Sequence, residues 1–303
     1  AGYTGVGFSR ISVNPSLSII YKLNYAWRFT AHASYKERYG EMTDLYDRPY
    51  QTDYRNSVWN CGILPVDRQQ LYSVYGEYKN TAREFFATVN LTHNREWYNR
   101  IYEQRIENGQ VQRVSLPLSN HGSGYTVKST LSKGFYDLGL KTSFLALLNI
   151  SKAEQISGGQ RLPYQYRLMR LEPKVIWTPN RHWETSYQTD IRYGGSKIGE
   201  RTRLAPLWNV TQQVQLSYIF SPIEASLSVD HYHNDVNEDQ SVNAVFADFS
   251  VSWKSRRWQI TATATNLFDK RTYGYTRYAS LESYTSWVRI RPREFLVAIR
   301  YQL

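Results

Sequence analysis

Short and long connections alternate along this 303-residue chain. Tight polar turns fall at Asn24–Trp27, Lys79–Arg83, Gly134–Asp137, Thr178–Arg181, Ser221–Pro222 and Lys254–Arg257. Between them lie longer polar, aromatic stretches at about 41–69, 94–122, 153–163, 195–207, 234–245 and 272–284. The intervening segments alternate apolar and polar at period two, as strands do when their two faces meet different surroundings. A globular sheet has no reason to lengthen every second connection. A transmembrane β-barrel does, because its strands shuttle between a side of plain turns and a side of working loops.

Composition points the same way. The chain is 15% aromatic, with 26 Tyr, 9 Trp and 11 Phe, yet its mean hydropathy is −0.58. Many amphipathic aromatics in a polar chain suit a barrel with a wet lumen, polar loops and an aromatic girdle at each interface. No apolar run is long enough for a transmembrane helix. The chain opens Ala1-Gly2-Tyr3 without a leader, as a mature secreted protein or an internal fragment would. Cys61 is single and reads as a spectator, which excludes an internal disulfide and a thiolate metal cluster. The net charge of +11 is dispersed, with no basic cluster or nucleic-acid motif. Nucleic acid is therefore not an expected partner; a charged lumen and anionic headgroups account for the excess.

The alternation assigns faces. Ile223, Ala225, Leu227 and Val229 oppose Glu224, Ser226, Ser228 and Asp230; Trp258, Ile260, Ala262 and Ala264 oppose Gln259, Thr261, Thr263 and Thr265. The apolar set is expected to meet lipid and the Ser/Thr/Gln set a wet lumen. Strands are predicted near 3–12, 16–24, 27–38, 70–78, 84–93, 124–133, 138–151, 164–177, 183–193, 208–220, 223–233, 246–254, 258–270 and 285–303. The expected fold is therefore all-β: an antiparallel transmembrane β-barrel of about 14 strands, with short periplasmic turns and long extracellular loops. It reads as a single barrel domain or barrel portion over 1–303, both ends on the turn side. Several strands exceed the roughly 9–11 residues that cross a bilayer and are expected to rise above it. Asn108-Gly109, between 101–107 and 110–116, signals a hairpin within the second long loop.

Family-like motifs cluster near the end. The segment Asn266-Leu267-Phe268-Asp269-Lys270-Arg271-Thr272-Tyr273 resembles the signature before the last loop of TonB-dependent outer-membrane receptors. The last strand, with Phe295, Val297, Ile299, Tyr301 and Leu303 alternating, resembles their closing strand. Tyr35 to Tyr78, ending in Tyr75-Gly76-Glu77-Tyr78-Lys79-Asn80, is similar to another part of those barrels, and Ile290 to Phe295 is similar to Bacteroidetes members. The resemblance implies a bacterial outer-membrane location and energised uptake of a nutrient. It also implies a plug, a TonB contact and a barrel of about 22 strands. No segment here reads as a plug, so the chain looks like the C-terminal portion of such a barrel, and the TonB complex is expected to act through a plug outside these residues.

Functional residues are expected on loops held by the rigid wall. The first long loop presents Tyr46, Tyr50, Tyr54 and Trp59, and the last presents Tyr273, Tyr275, Arg277 and Tyr278. Aromatic platforms beside charges suit stacking on sugars or planar ligands, and both loops are candidate substrate contacts. His231 and His233, next to Asp230 and Asp235, are the best metal candidates, since they share one strand face. Asp190, Arg192, Arg170 and Glu172 are expected to pair in the lumen. No phosphate loop, nucleophile elbow or catalytic constellation is present, so neither an enzyme nor a cofactor is expected. The uptake receptor is the leading reading, with siderophore, glycan, peptide and vitamin all open as substrates. A passive porin and a structural barrel subunit of an outer-membrane complex are the alternatives. Expected partners are outer-membrane lipid and lipopolysaccharide, with a surface lipoprotein or another outer-membrane subunit also open.

Overall fold

The computed structural model describes residues 11–60, 62, 64–107, 109–199, 202–236, 239–279 and 282–302. The wall is a meander of β1 (Ser16–Lys22), β2 (Trp27–Tyr39), β5 (Val66–Asn80), β6 (Phe85–Tyr98), β9 (Asn120–Phe135), β10 (Leu140–Ser157), β11 (Gln160–Trp177), β12 (Trp183–Ile198), β13 (Thr202–Phe220), β14 (Ile223–Asp235), β15 (Ser241–Lys254), β16 (Trp258–Thr265) and β19 (Glu294–Tyr301). Each pairs antiparallel with the next in that order. These 13 strands match 13 of the 14 expected segments; the segment near 3–12 lies outside the described residues except for Ile11 and Ser12, which are not in a strand. Expected strand 285–303 is broken at 290–293, where Pro292 can donate no ladder hydrogen bond.

Six further strands belong to the loops: β3 (Tyr50–Gln51), β4 (Asn56–Trp59), β7 (Ile101–Glu107), β8 (Gln110–Leu116), β17 (Thr272–Ala279) and β18 (Glu282–Arg289). Three stretches expected to be long loops prove to be tall hairpins. Around 153–163 the strands run on until only Gly158-Gly159 separates them, both at positive φ (58° and 74°), the backbone that a two-residue primed turn requires. Strand β10 reaches 18 residues and β13 reaches 19. The long connections of the sequence are therefore largely strands rising beyond the membrane.

Residues directly opposite across a ladder share a face, so the register carries the two faces from strand to strand. One rung reads Ile19, Ala31, Val74, Leu91, Val127, Leu148 and Met169, apolar throughout. Another reads Tyr218, Ala225, Val251, Ala262 and Val297. The opposite face carries Ser226 opposite Ser250, and Ser252 opposite Thr261, both hydrogen bonded. Leu17, Val74, Leu91, Phe249 and Val297 are all exposed. An apolar surface spread over 13 strands far exceeds the patch a soluble monomer leaves in water; lipid is its solvent.

Aromatic rings bracket this band. Near the turns, Trp27 packs on Tyr78 (centroids 4.8 Å apart), Trp183 on Tyr218 (4.6 Å) and Trp258 on Tyr301 (4.7 Å). Near the loops, Tyr193 packs on Trp208 (4.6 Å), and His93 lies between Tyr72 and Tyr125. Trp183 and Tyr193 are ten residues apart on β12. That is about 33 Å of strand, or about 25 Å of membrane at the usual tilt, the height of a barrel's apolar band.

Candidate functional site

Beyond the membrane the second long loop folds back on the wall. Strands β7 and β8 form the expected hairpin; β8 pairs in parallel with β4, which pairs with β3, and β7 pairs in parallel with the top of β10 at Ile156 and Ser157. The result is a small ribbon, β3–β4–β8–β7, rooted on β10. Pro65, Ile101 and Val114 are the largest fully buried side chains among the described residues. These lie in or beside the loops, because the wall faces lipid on one side and a polar lumen on the other.

Between the ribbon and the inner face of the wall is a chamber of about 640 Å³. The wall contributes Tyr98, Asn120, Gln155 and Tyr164, and the ribbon contributes Arg100, Tyr102 and Arg113. In register, Gln104 opposes Arg113, so period two sends Tyr102, Gln104 and Arg113 to the face that lines the chamber. Arg100 is fixed: it grips Asp67 (2.8 and 3.4 Å) and its Nε donates to the Tyr102 hydroxyl at 2.8 Å. Burial works against its charge, but Tyr102 and Asp67 outweigh that and raise its pKa above the usual arginine value. The Tyr98 hydroxyl donates to Glu96. Burial, then that hydrogen bond, pushes its pKa far up, so it stays protonated. Arg113 lies 3.6 Å above the Tyr102 ring and forms no ion pair among the described residues. The chamber thus offers aromatic surface, amide groups and one uncompensated guanidinium.

The hairpin β17–β18 covers the lumen elsewhere. Tyr273 stacks edge-on against the inward-facing Tyr232 (5.3 Å), which also meets Phe246 (5.7 Å). The buried Asn234 donates to the Tyr273 hydroxyl at 2.8 Å. The motif Asn266 to Arg271 is the hinge of this hairpin. Asn266 and Asp269 both take positive φ (50° and 51°), a backbone region that Asn and Asp enter more readily than other side-chain-bearing residues. The Asn266 side chain donates to the carbonyls of Lys270 (2.8 Å) and Arg291 (2.9 Å) and accepts from the Lys270 N–H (3.0 Å). Asp269 accepts from the Arg293 N–H at 3.0 Å. The motif therefore ties the end of β16 to the start of β19.

The predicted contact residues fall into two clusters at opposite ends of the strand order. Tyr46 and Tyr50 meet edge to face at 6.2 Å, both exposed. Tyr54 projects into solvent with Arg55 over its ring at 5.3 Å, while Trp59 is half-buried and donates to Asp47 at 3.0 Å. Tyr273 and Tyr275 stand 6.0 Å apart in the other cluster. Arg277 and Tyr278 lie on β17 opposite Tyr284 and Ser283, with side chains outside the described residues, and Cys61 is outside them too. His231 and His233 share the outer face; His233 is held by Asn243 (2.9 Å) and Asp235 (3.3 Å). No group of three or more metal-ligating side chains occurs among the described residues. In the lumen Glu172, Arg170, Asp190 and Arg192 form a chain of ion pairs. Nothing in the sequence pattern sets the chamber residues Tyr98, Arg100, Tyr102, Arg113 and Tyr164 apart. The usable signal was the hairpin at Asn108-Gly109, whose one face carries Tyr102, Gln104 and Arg113.

No known sequence family matches the chain, and no curated protein matches it in sequence. Solved structures do. The ferric yersiniabactin uptake receptor FyuA of Yersinia pestis is 8% identical, with a TM-score of 0.44 over 96% of this chain and 50% of that one. FpvA of P. aeruginosa bound to pyoverdines is 10% identical, with a TM-score of 0.48 over 96% and 44%. The FrpB iron transporter of Neisseria meningitidis is 9% identical, with a TM-score of 0.50 over 88% and 44%. The chain spans half the length of these proteins or less. At such identities the likeness is one of architecture, and together with the lipid-facing band it defines the fold: the chain forms the antiparallel wall of an outer-membrane β-barrel.

Proposed function

We propose that this chain forms the wall and outer loops of an outer-membrane receptor that captures a nutrient for TonB-dependent uptake. The chamber under the loop ribbon carries the reading. It sits where the polar inner face meets the outside, and it combines stacking surface with fixed donors, as capture of a sugar-like or chelate ligand requires. Arg113, which pairs with no carboxylate among the described residues, selects for a ligand with negative charge or electron-rich oxygens. The aromatic loops at Tyr46, Tyr50 and Tyr54 and at Tyr273 and Tyr275 would guide the ligand in. The polar Ser/Thr-lined face would let it pass once a plug, which none of the described residues forms, gives way. The likeness to FrpB, an iron transporter by name, makes a ferric chelate the first class to try.

The test is accumulation by cells carrying the native gene. Radiolabelled ferric chelates, oligosaccharides, oligopeptides and corrinoids are offered with and without a protonophore. One class should accumulate, only with the gradient intact, and Arg113→Glu with Tyr102→Ala should lower uptake at least about tenfold, the scale of losing a charge-assisted contact. Uptake of every small solute regardless of the protonophore would refute the receptor and favour a passive pore.

A further inference from the structure

The lipid-facing side of the wall has a shape that transport does not require. On β1, β2, β5, β6 and β9 the small side chains Ala31 and Ala33 leave a trough of about 550 Å³ walled by Leu17, Val74, Leu91 and Val127. Its loop-side end is closed by stacked rings, with His93 at 6.5 Å from Tyr72 and 4.2 Å from Tyr125. Tyr125 and Ser123 point the same way from β9, about 7 Å apart along the strand. At Ser123 a second cavity opens, of about 290 Å³; His121, Ser123, Lys152, Gln165 and Lys197 line it from the outer face, together with Glu154 and Tyr164.

The register makes these one feature. Arg95, Ser123, Lys152, Gln165 and Lys197 stand directly opposite one another on β6, β9, β10, β11 and β12, forming a single rung just beyond the aromatic girdle. Arg95, Lys152 and Lys197 form no ion pair among the described residues. Glu154, in the same cavity, is held by Arg161 at 3.0 Å. An apolar trough in the membrane that runs into a basic rung at headgroup height complements an amphiphile in both shape and charge.

We propose that this surface binds one phosphorylated, acylated lipid of the loop-side leaflet. An acyl chain lies in the trough, and a phosphate meets Lys152, Lys197 and Arg95 with the Ser123 hydroxyl as a further donor. The cationic rung is on the outer face, and the cavity beside it meets the chamber at Ala153, Glu154 and Tyr164, which line both.

Lipid A is the probe. The native full-length protein, extracted in an uncharged detergent and stripped of lipid, is given lipid A with both phosphates or its dephosphorylated form, and bound lipid is counted by native mass spectrometry. One lipid A per chain should be retained, with the dephosphorylated form at least about tenfold weaker. The triple variant Arg95→Gln, Lys152→Gln, Lys197→Gln should lose a similar factor, and Ala33→Trp, which fills the trough, should also weaken retention. The turn-side control Arg256→Gln, Arg257→Gln should retain as much as the wild type. Equal retention of the two lipids overturns the proposal without any variant having to fold. So do full retention by the triple variant and complete displacement by millimolar inorganic phosphate, which would mark a simple anion site.

Discussion

Asn266 allows a sharp test of how the family-like motif works. It sits at φ 50°, is 6% exposed, and makes three side-chain hydrogen bonds to backbone groups of Lys270 and Arg291. In Asn266→Ala the left-handed backbone costs about 1 kcal/mol. Three backbone groups also lose partners, at about 1 kcal/mol each, for a total of about 4 kcal/mol. Asn266→Gly relieves the backbone but loses the same bonds, so about 3 kcal/mol is expected. Asn266→Asp keeps the acceptor for the Lys270 N–H but turns carboxylate oxygen toward two carbonyls, again about 3 kcal/mol. Urea unfolding in phospholipid vesicles, followed by tryptophan fluorescence, measures all three. An alanine variant within about 1 kcal/mol of wild type, or a glycine variant less stable than the alanine one, would refute the idea that strain and hydrogen bonds together define this hinge.

Asp269 makes a pH prediction. Arg271, then the Arg293 N–H, hold its carboxyl below the usual 3.8. A depressed folded-state pKa stabilises above the unfolded value and is lost as pH falls through the folded one. Asp269→Asn should therefore loosen the β17–β18 hairpin at neutral pH, seen as faster hydrogen exchange at Ile290 and Arg293, with no difference once pH falls well below 3.8. Gly274 opposes Trp287, and a Cβ there would come within 2.7 Å of the indole. Gly274→Val should displace Trp287, cost about 1–3 kcal/mol by overpacking, and shift the emission of a variant in which Trp287 is the sole tryptophan. Asn234→Ala removes the donor that holds the Tyr273 hydroxyl. It should free the hairpin from the wall, so that limited trypsin cuts at Arg271 or Arg289 several times faster than in wild type.

The wall was legible because its two solvents are opposite in character. Lipid against water writes a period-two pattern so strong that Ala225, Leu227 and Val229 could be given a face before any partner strand was known, and the register then carried that face across the sheet. The lengths of the outer strands were less legible. Above the membrane both faces are wet, and the alternation that marks a strand fades at Lys152 to Pro163 although the ladder continues. The chamber was illegible for a different reason. Tyr98, Arg113 and Tyr164 meet only because the ribbon pairs in parallel with the tops of its neighbours. Parallel pairing leaves no turn signal in the chain and joins residues distant in sequence. Tyr46, Tyr50 and Tyr54 stand out by aromatic density alone; Tyr46 meets Tyr50, Tyr54 meets Arg55, and all three rings are exposed. Aromatic density marks where a loop can bind, whereas a preformed site needs side chains already held by partners. Arg100, clamped by Asp67 and Tyr102, meets that condition, which makes the ribbon chamber the better place to look for the ligand.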